Sequence, residues 1–269
     1  LKNNFEEKSF FKKNEISNLY IDNPKIGLQK QLFFSKNSKN IIIYQDEPKK
    51  SFANIIINHN YIPDVTRKYR KLVSVNTKLL LGIQYFPIDF KKIFVKKSKK
   101  KQIKSITIFF GSQSNLRNIQ NSLIYINSKN LNLKIDCFLG IYNKHFSQLE
   151  KKFKNVKFYK NTTQKFFLKK LSKSDLFIGS GGTTLIESLY LGVPSLVSCT
   201  AKNQISNCEN FSKKRIIIFI KNRNFYSQLD ELFLKKQTSQ YNRLKTKTSR
   251  ISKMIGKKSI SKKLIKLLK

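Results

Sequence analysis

Cysteine is scarce and unpatterned in this chain. Cys137, Cys199 and Cys208 form no C-x-x-C pair and no Cys/His cluster, so a metal site is not indicated. Histidine is scarcer. His59 and His145 stand far apart, each fits a surface loop, and no paired catalytic constellation is visible. No apolar run reaches the length of a membrane span. The first stretch, LKNNFEEKSFF, carries acids and no long apolar segment, so it does not read as a signal peptide. A cytoplasmic protein without stable membrane insertion is expected. Arginine, the preferred reader of bases, is infrequent, and neither an RNP-type aromatic signature nor zinc-finger spacing is present. Glycine is the most informative shortage. Only 9 occur in 269 residues, yet three fall within positions 179–182.

What is present suffices for a folded core. Hydrophobic residues make up 39 % of the chain and aromatics 12 %, in a length that suits one large domain or two modest ones. The formal charge is +40, from 55 basic and 15 acidic residues. A basic excess can mark a nucleic-acid binder. It can also reflect a bias toward Lys, Asn, Ile, Phe and Tyr, the residues of A/T-rich codons. The lysines are spread along the whole chain, which favours the second explanation. Salt-sensitive attraction to polyanions is expected, but no specific nucleic-acid partner.

Short apolar runs ended by turn residues fill the first ninety positions. NLYID (18–22), NIIIYQD (40–46), NIIINHN (54–60) and KLLLG (78–82) read as strands. Their lack of alternation suits a parallel sheet covered on both faces. The charge run KKIFVKKSKKKQIK (91–104) reads as a solvated linker. After it, strands at 105–111, 133–140, 156–161, 175–179, 195–199 and 215–220 alternate with helical patterns. Such alternation implies right-handed βαβ units and an open parallel sheet. The expected class is α/β, with two Rossmann-like doubly wound domains. The expected boundaries are 1–90, a basic linker 91–104, and 105–269. The tail SRISKMIGKKSISKKLIKLLK is an amphipathic basic helix, suited to docking on the protein or lying on a membrane surface.

Ligands of open parallel sheets bind beyond the carboxyl ends of the strands. Two glycine loops fall there, FFGSQSN after 105–110 and IGSGGTT after 175–178, and each leads into a helix. A helix N-terminus offers free N–H groups and a positive dipole end to phosphate. Gly181 and Gly182 let backbone approach an anion without a Cβ in the way. Thr183 and Thr184 are placed to cap the helix or to donate hydroxyls to phosphate oxygens. Glu187, one turn into the helix, is placed to accept from ribose hydroxyls, unless it is merely an exposed helical acid. Asn203 and Gln204 follow the next strand over the same crevice, as amide donors or, for Asn203, as a helix N-cap. The loop is not a Walker motif, a dinucleotide fingerprint or a nucleophile elbow.

The stretch SDLFIGSGGTTLIESLYLGVPSLVSCTAKNQ resembles the nucleotide-sugar site of the UDP-sugar hydrolases of pseudaminic acid biosynthesis. Looser likeness extends through IIIYQDEPKKSFANIIINHNY, KLLLGIQYFPIDF, SITIFFGSQS and FLGIYNKH. The resemblance implies the GT-B-like architecture shared with many UDP-sugar glycosyltransferases. It implies a UDP-sugar substrate, a 2,4-diacetamido-2,4,6-trideoxyhexose released from UDP, and no cofactor. Carried over, Gly181, Gly182, Thr183 and Thr184 would hold the diphosphate and Glu187 the ribose. Asn203 and Gln204 would face the sugar or phosphates, and Gly111 and Ser112 would form the opposite lip. His145 matches a family position without an evident chemical role. The family's catalytic histidine lies in a Gly-x-Gly-His-x-x-Arg segment that this sequence does not contain, so its catalytic residue is left unassigned. Leu1 begins mid-pattern, and the expectation is a truncated N-terminal domain whose first one or two βα units lie upstream. A glycosyltransferase of the same fold and a noncatalytic nucleotide-sugar-binding remnant are the alternatives.

Overall fold

Two parallel β-sheets organise the chain in the computed structural model, which describes residues 9–11, 13–23, 25–87, 102–111, 116–129, 131–221, 225–230, 232–233 and 237–268. The chain divides into two units, Leu1–Ile88 with Gly256–Lys269, and Asp89–Ile255. Most of the expected linker, residues 91–101, lies outside the described residues.

The first unit is a four-stranded sheet in the order β1-β2-β3-β4, all parallel. The strands are β1 (Ile16–Ile21), β2 (Ser38–Tyr44), β3 (Ile55–Asn58) and β4 (Lys78–Leu81). Helices α1 (Leu28–Asn37) and α2 (Val65–Arg70) connect β1 to β2 and β3 to β4. Strands laid down in sequential order with right-handed crossovers put their helices on one face. On that face Ile41, Ile43 and Ile56 pack with Phe34 of α1 and Tyr69 of α2. The alternate residues Ile42, Ile55 and Ile57 point to the opposite face, which explains the unbroken isoleucine runs.

That second face is covered by the C-terminal helix. Ile260, Leu264, Leu267 and Leu268 of α10 (Ile260–Leu268) pack against Ile42, Ile55, Ile57, Leu80 and Tyr85. Gly256 N–H donates to Ile83 O at 3.0 Å and Lys258 N–H to Gln84 O at 2.8 Å, fixing the approach. Residues 256–269 therefore belong with the first unit, not with the 105–269 domain expected from the sequence. The physical reason is the helix-free face left by the sequential strand order. We expect Leu264→Asp to expose this face and cost about 1–2 kcal/mol. Hydrogen exchange should then quicken by about tenfold in β2 and β3 and stay unchanged in the second unit.

The second unit is a six-stranded parallel sheet in the order β10-β9-β8-β5-β6-β7. Its strands are β5 (Ser105–Phe109), β6 (Lys134–Leu139), β7 (Val156–Lys160), β8 (Leu176–Ser180), β9 (Ser195–Ser198) and β10 (Ile218–Phe219). The helices are α3 (Leu116–Ser128), α4 (Phe146–Lys152), α5 (Gln164–Leu171), α6 (Thr183–Tyr190), α7 (Ile205–Lys213), α8 (Phe225–Asp230) and α9 (Gln237–Ser252). Strand β10 is shorter than the expected 215–220, because Arg215 takes a left-handed conformation at φ 55 and the chain bends through Ile216 and Ile217. At the amino edge, Asp175 ties β8 to β5. Its Oδ2 accepts from the N–H groups of Lys104 (3.1 Å) and Ser105 (3.0 Å) and from Ser105 Oγ (2.8 Å).

The order of the strands reverses between β5 and β8. From β5 the chain builds outward through β6 and β7, then returns to build through β8, β9 and β10. A crevice at the carboxyl ends of the two strands flanking such a reversal is the place where this architecture takes ligands. Among the described residues, no helix is long and apolar enough to cross a membrane.

Candidate functional site

The crevice is built from the ends of β5 and β8. Gly111 follows β5 with φ 91, a left-handed turn that glycine adopts without cost. The position where a Cβ would stand on Gly111 is 3.8 Å from Ser180 Oγ, at the end of β8. The neighbouring Ser112 lies outside the described residues. Beyond Ser180, Gly181 N–H donates to Ser198 O at 3.1 Å, extending the pairing with β9 by one residue.

The two glycines at 181 and 182 answer to the protein's own chain. A Cβ on Gly181 would collide with the sulfur of Cys208 on α7. A Cβ on Gly182 would stand 3.2 Å from Nε2 of Gln204. Close approach is needed here, as the sequence suggested, but by α7 against the back of the loop. Neither threonine caps α6. Gly182 is the N-cap and offers no side-chain acceptor to the first turn. That leaves Thr183, which is exposed, and Thr184 at a helix start suited to an anion.

Gln204 holds its place through its own amide. Its Oε1 accepts from Thr200 N–H at 2.9 Å and from Thr200 Oγ1 at 3.3 Å. Asn203 is exposed within a short 3₁₀ turn, Lys202–Gln204, and Gln204 rather than Asn203 is the N-cap of α7. The structure thus brings Gly111, Gly181, Gly182, Thr184 and Gln204 to one edge of the sheet.

Glu187 is not an exposed helical acid. It is 5 % exposed, on the buried side of α6, and its Oε1 accepts from Gln164 Nε2 at 2.9 Å. Burial raises its carboxyl above the ordinary carboxylate range, and the Gln164 hydrogen bond partly opposes that. Gln164 and Glu187 face a cavity of about 310 Å³. Its floor is aromatic, Phe109, Phe138 and Phe167, with Phe167 edge-on to Phe138 at 4.8 Å between ring centres. Its rim comes from the loops after β6 and β7, at Gly140 and Ile141 and at Asn161 and Thr162, and Thr184 closes the side toward the glycine loop. The sequence analysis missed the rim and the floor. The signal was the position of FLGI and KNTT after strands, without glycine pairs to draw attention to them. An apolar slot with a few convergent polar groups suits a flat ring and its hydroxyl-bearing neighbour.

His145 is exposed at the N-cap of α4, with its Nδ1 3.0 Å from Gln148 Oε1. His59 belongs to the first unit and is half-buried in the loop that follows β3. Its ring lies edge-on to Phe86 at 5.0 Å and to Tyr44 at 5.9 Å, and burial lowers its pKa, offset in part by Asp46 and Asp22. Among the described residues, no group of three His, Cys, Asp or Glu side chains is arranged to hold a metal ion.

A family model described as a protein of unknown function, DUF354, matches residues 21–224. The chain belongs to the DUF354 family. This DUF354 chain is 28 % identical over 202 residues to Uncharacterized protein MJ1062 of Methanocaldococcus jannaschii. The alignment takes in 67 % of the chain and 40 % of that protein, so the chain spans less than half the length of this relative. The DUF354 chain is also similar in structure to a glycotransferase of kitacinnamycin, with TM-score 0.64 and 13 % identity over 89 % of this chain and 73 % of that one. It is similar to Acinetobacter baumannii MurG, with TM-score 0.57 and 13 % identity over 94 % and 77 % of the two chains. The spinosyn rhamnosyltransferase SpnG matches with TM-score 0.55 and 11 % identity over 89 % and 75 %. At these identities the likeness is one of fold, the parallel α/β architecture of GT-B glycosyltransferases.

Proposed function

We propose that this chain belongs to an enzyme that uses a UDP-sugar, bound by the second unit, and releases UDP as the sugar passes to an acceptor. The observation that carries this is the adjacency, at the β5/β8 switch point, of a helix start suited to an anion and a 310 Å³ cavity containing a buried carboxylate. The diphosphate lies on the first turn of α6 and the glycine loop, and the ribose hydroxyls donate to Glu187. The base enters between the β6 and β7 loops over the aromatic floor. Diphosphate is a leaving group, and the N-terminal dipole of α6 stabilises the charge it gains as the anomeric bond breaks. Water as acceptor, with a 2,4-diacetamido-2,4,6-trideoxyhexose as the sugar, follows from the resemblance of residues 174–204. A hydroxyl acceptor follows from the solved transferases of this fold, and the site described serves both.

Titration calorimetry at moderate salt tests the binding step. Moderate salt suppresses loose attraction to a chain of charge +40. UDP should bind at least about tenfold more tightly than UMP, since the second phosphate adds charge-assisted hydrogen bonds at the loop. Absence of UDP binding, or UDP binding no tighter than tripolyphosphate, overturns the proposal. If UDP binds, incubation with UDP-sugars and water alone distinguishes hydrolysis from transfer by whether free sugar appears.

A further inference from the structure

Behind the glycine loop stand two thiols that the proposed reaction does not use. Cys199 directly follows β9 and is half-buried, while Cys208, on α7, is fully buried. Both sulfurs flank Gly181. The position of a Cβ there is in contact with Cys208 Sγ and 3.6 Å from Cys199 Sγ. Cys208 also donates toward Gly181 O, with Sγ 3.7 Å from that oxygen. The neighbouring Cys208 thiol favours the Cys199 thiolate and lowers its pKa, against the effects of burial and of Glu209. Cys208 is driven strongly the other way and keeps its proton. Glu209, whose charge acts on both thiols, is held by Lys221 at 2.8 Å. The third thiol, Cys137, is fully buried within the sheet and raised by burial. A half-buried thiolate of lowered pKa beside a protonated partner is the arrangement of a reactive dithiol, and a buried lone thiol is inert.

We propose that Cys199 and Cys208 form a hydroperoxide-reactive dithiol, in which Cys199 attacks and Cys208 resolves. The Cys199 thiolate attacks one oxygen of a hydroperoxide, the O–O bond breaks, and the departing oxygen leaves as an alcohol or water once protonated. Cys199 becomes a sulfenic acid. The Cys208 sulfur gives up its proton and displaces hydroxide from that sulfur, forming the S–S bond and releasing water. Two thiols are oxidised and one hydroperoxide is reduced. The new bond draws Cys208 away from Gly181 and loosens the loop that it backs. On the reading given under Proposed function, oxidation therefore weakens UDP binding.

The full chain, treated with hydrogen peroxide, alkylated and digested with trypsin, tests this directly. Lys202 separates the two cysteines, so they fall in peptides 174–202 and 203–213. We expect these peptides disulfide-linked, with two of the three thiols lost and Cys137 still alkylatable after denaturation. In Cys208→Ser, Cys199 should stop at the sulfenic acid and be trapped by dimedone. In Cys199→Ser, peroxide should leave Cys208 reduced. A wild-type chain that keeps all three thiols, or that oxidises Cys199 without linking the peptides, overturns the proposal. Calorimetry with UDP on reduced and oxidised chains separates this from the nucleotide assignment. No UDP binding to the reduced chain defeats that assignment alone, whereas absence of the linked peptide defeats the dithiol alone.

Discussion

Gly179→Ala should destabilise the second unit by about 3 kcal/mol, which lowers its Tm by roughly 6–12 °C. Gly179 sits in β8, at the centre of the six-stranded sheet, paired with Phe109 of β5. A methyl group there would meet the carbonyl oxygen of Phe109 and the ring of Phe177. The first is backbone of the neighbouring strand and cannot swing aside, and the second is a fully buried side chain. Relief requires the two strands to part. Gly192→Ala makes a fair control. Its φ is 73, but nothing stands within 4 Å of the position of its Cβ. It should cost only about 1–2 kcal/mol, the strain of a left-handed alanine. Urea denaturation of the two variants checks the order. Equal losses would mean that β5 and Phe177 give way to the methyl group, and that close approach does not demand the glycine at 179.

The second large effect is expected at Glu187, and it runs in opposite directions for binding and stability. Glu187→Gln should weaken UDP binding by about 10- to 100-fold, since hydrogen bonds to a charged group contribute about 1.5–3 kcal/mol. The same substitution should make the protein more stable at neutral pH. Burial raises the Glu187 carboxyl above its ordinary 4.5, so the folded state resists ionising it. Well below pH 4.5 the acid is protonated in both folded and unfolded chains, and its neutral form is at no disadvantage. As pH rises through that value toward the folded pKa, the unfolded chain loses its proton first and wild-type stability falls. Glutamine has no proton to lose, and its side-chain oxygen still accepts from Gln164. The advantage of the variant should therefore appear between mildly acidic and neutral pH and vanish in acid. Thermal unfolding at several pH values, beside calorimetry with UDP, reads both arms. A variant that loses stability at neutral pH, or binds UDP as wild type does, would show that Glu187 is a packing residue.

Much of this fold was legible because its strands are short and apolar on both sides. IIIY in β2 and III in β3 advertise a covered parallel sheet, and the alternation of strands with helices from Ser105 onward predicts the doubly wound unit. The place of the candidate site was read from the rule that ligands sit at the carboxyl ends of strands. What stayed hidden is non-local. Gln164 and Glu187 are 23 residues apart, and nothing in either segment signals that they meet. The demand for glycine at 181 comes from Cys208, 27 residues downstream, and a loop rich in glycine looks the same whether a ligand or a neighbouring helix needs the space. The RIIIFI run promised six strand residues, but the turn at Arg215 leaves only two in the ladder. The amphipathic stripe of α10 was plain, whereas its partner could be named only once the sheet order left a face without helices.

That helix has a consequence for how the protein is made. The ribosome delivers β1 to β4 before the whole of Asp89–Ile255, and only then the residues that close the second face of the first sheet. At about 5–20 residues per second, that leaves Ile42, Ile55 and Ile57 without their partner for roughly 10–30 s. During synthesis the first sheet is thus laid down before the second and finished after it. A chaperone that shelters exposed isoleucine would find its substrate in the nascent first unit, and a chain cut short before Gly256 would carry that sheet with its apolar face bare.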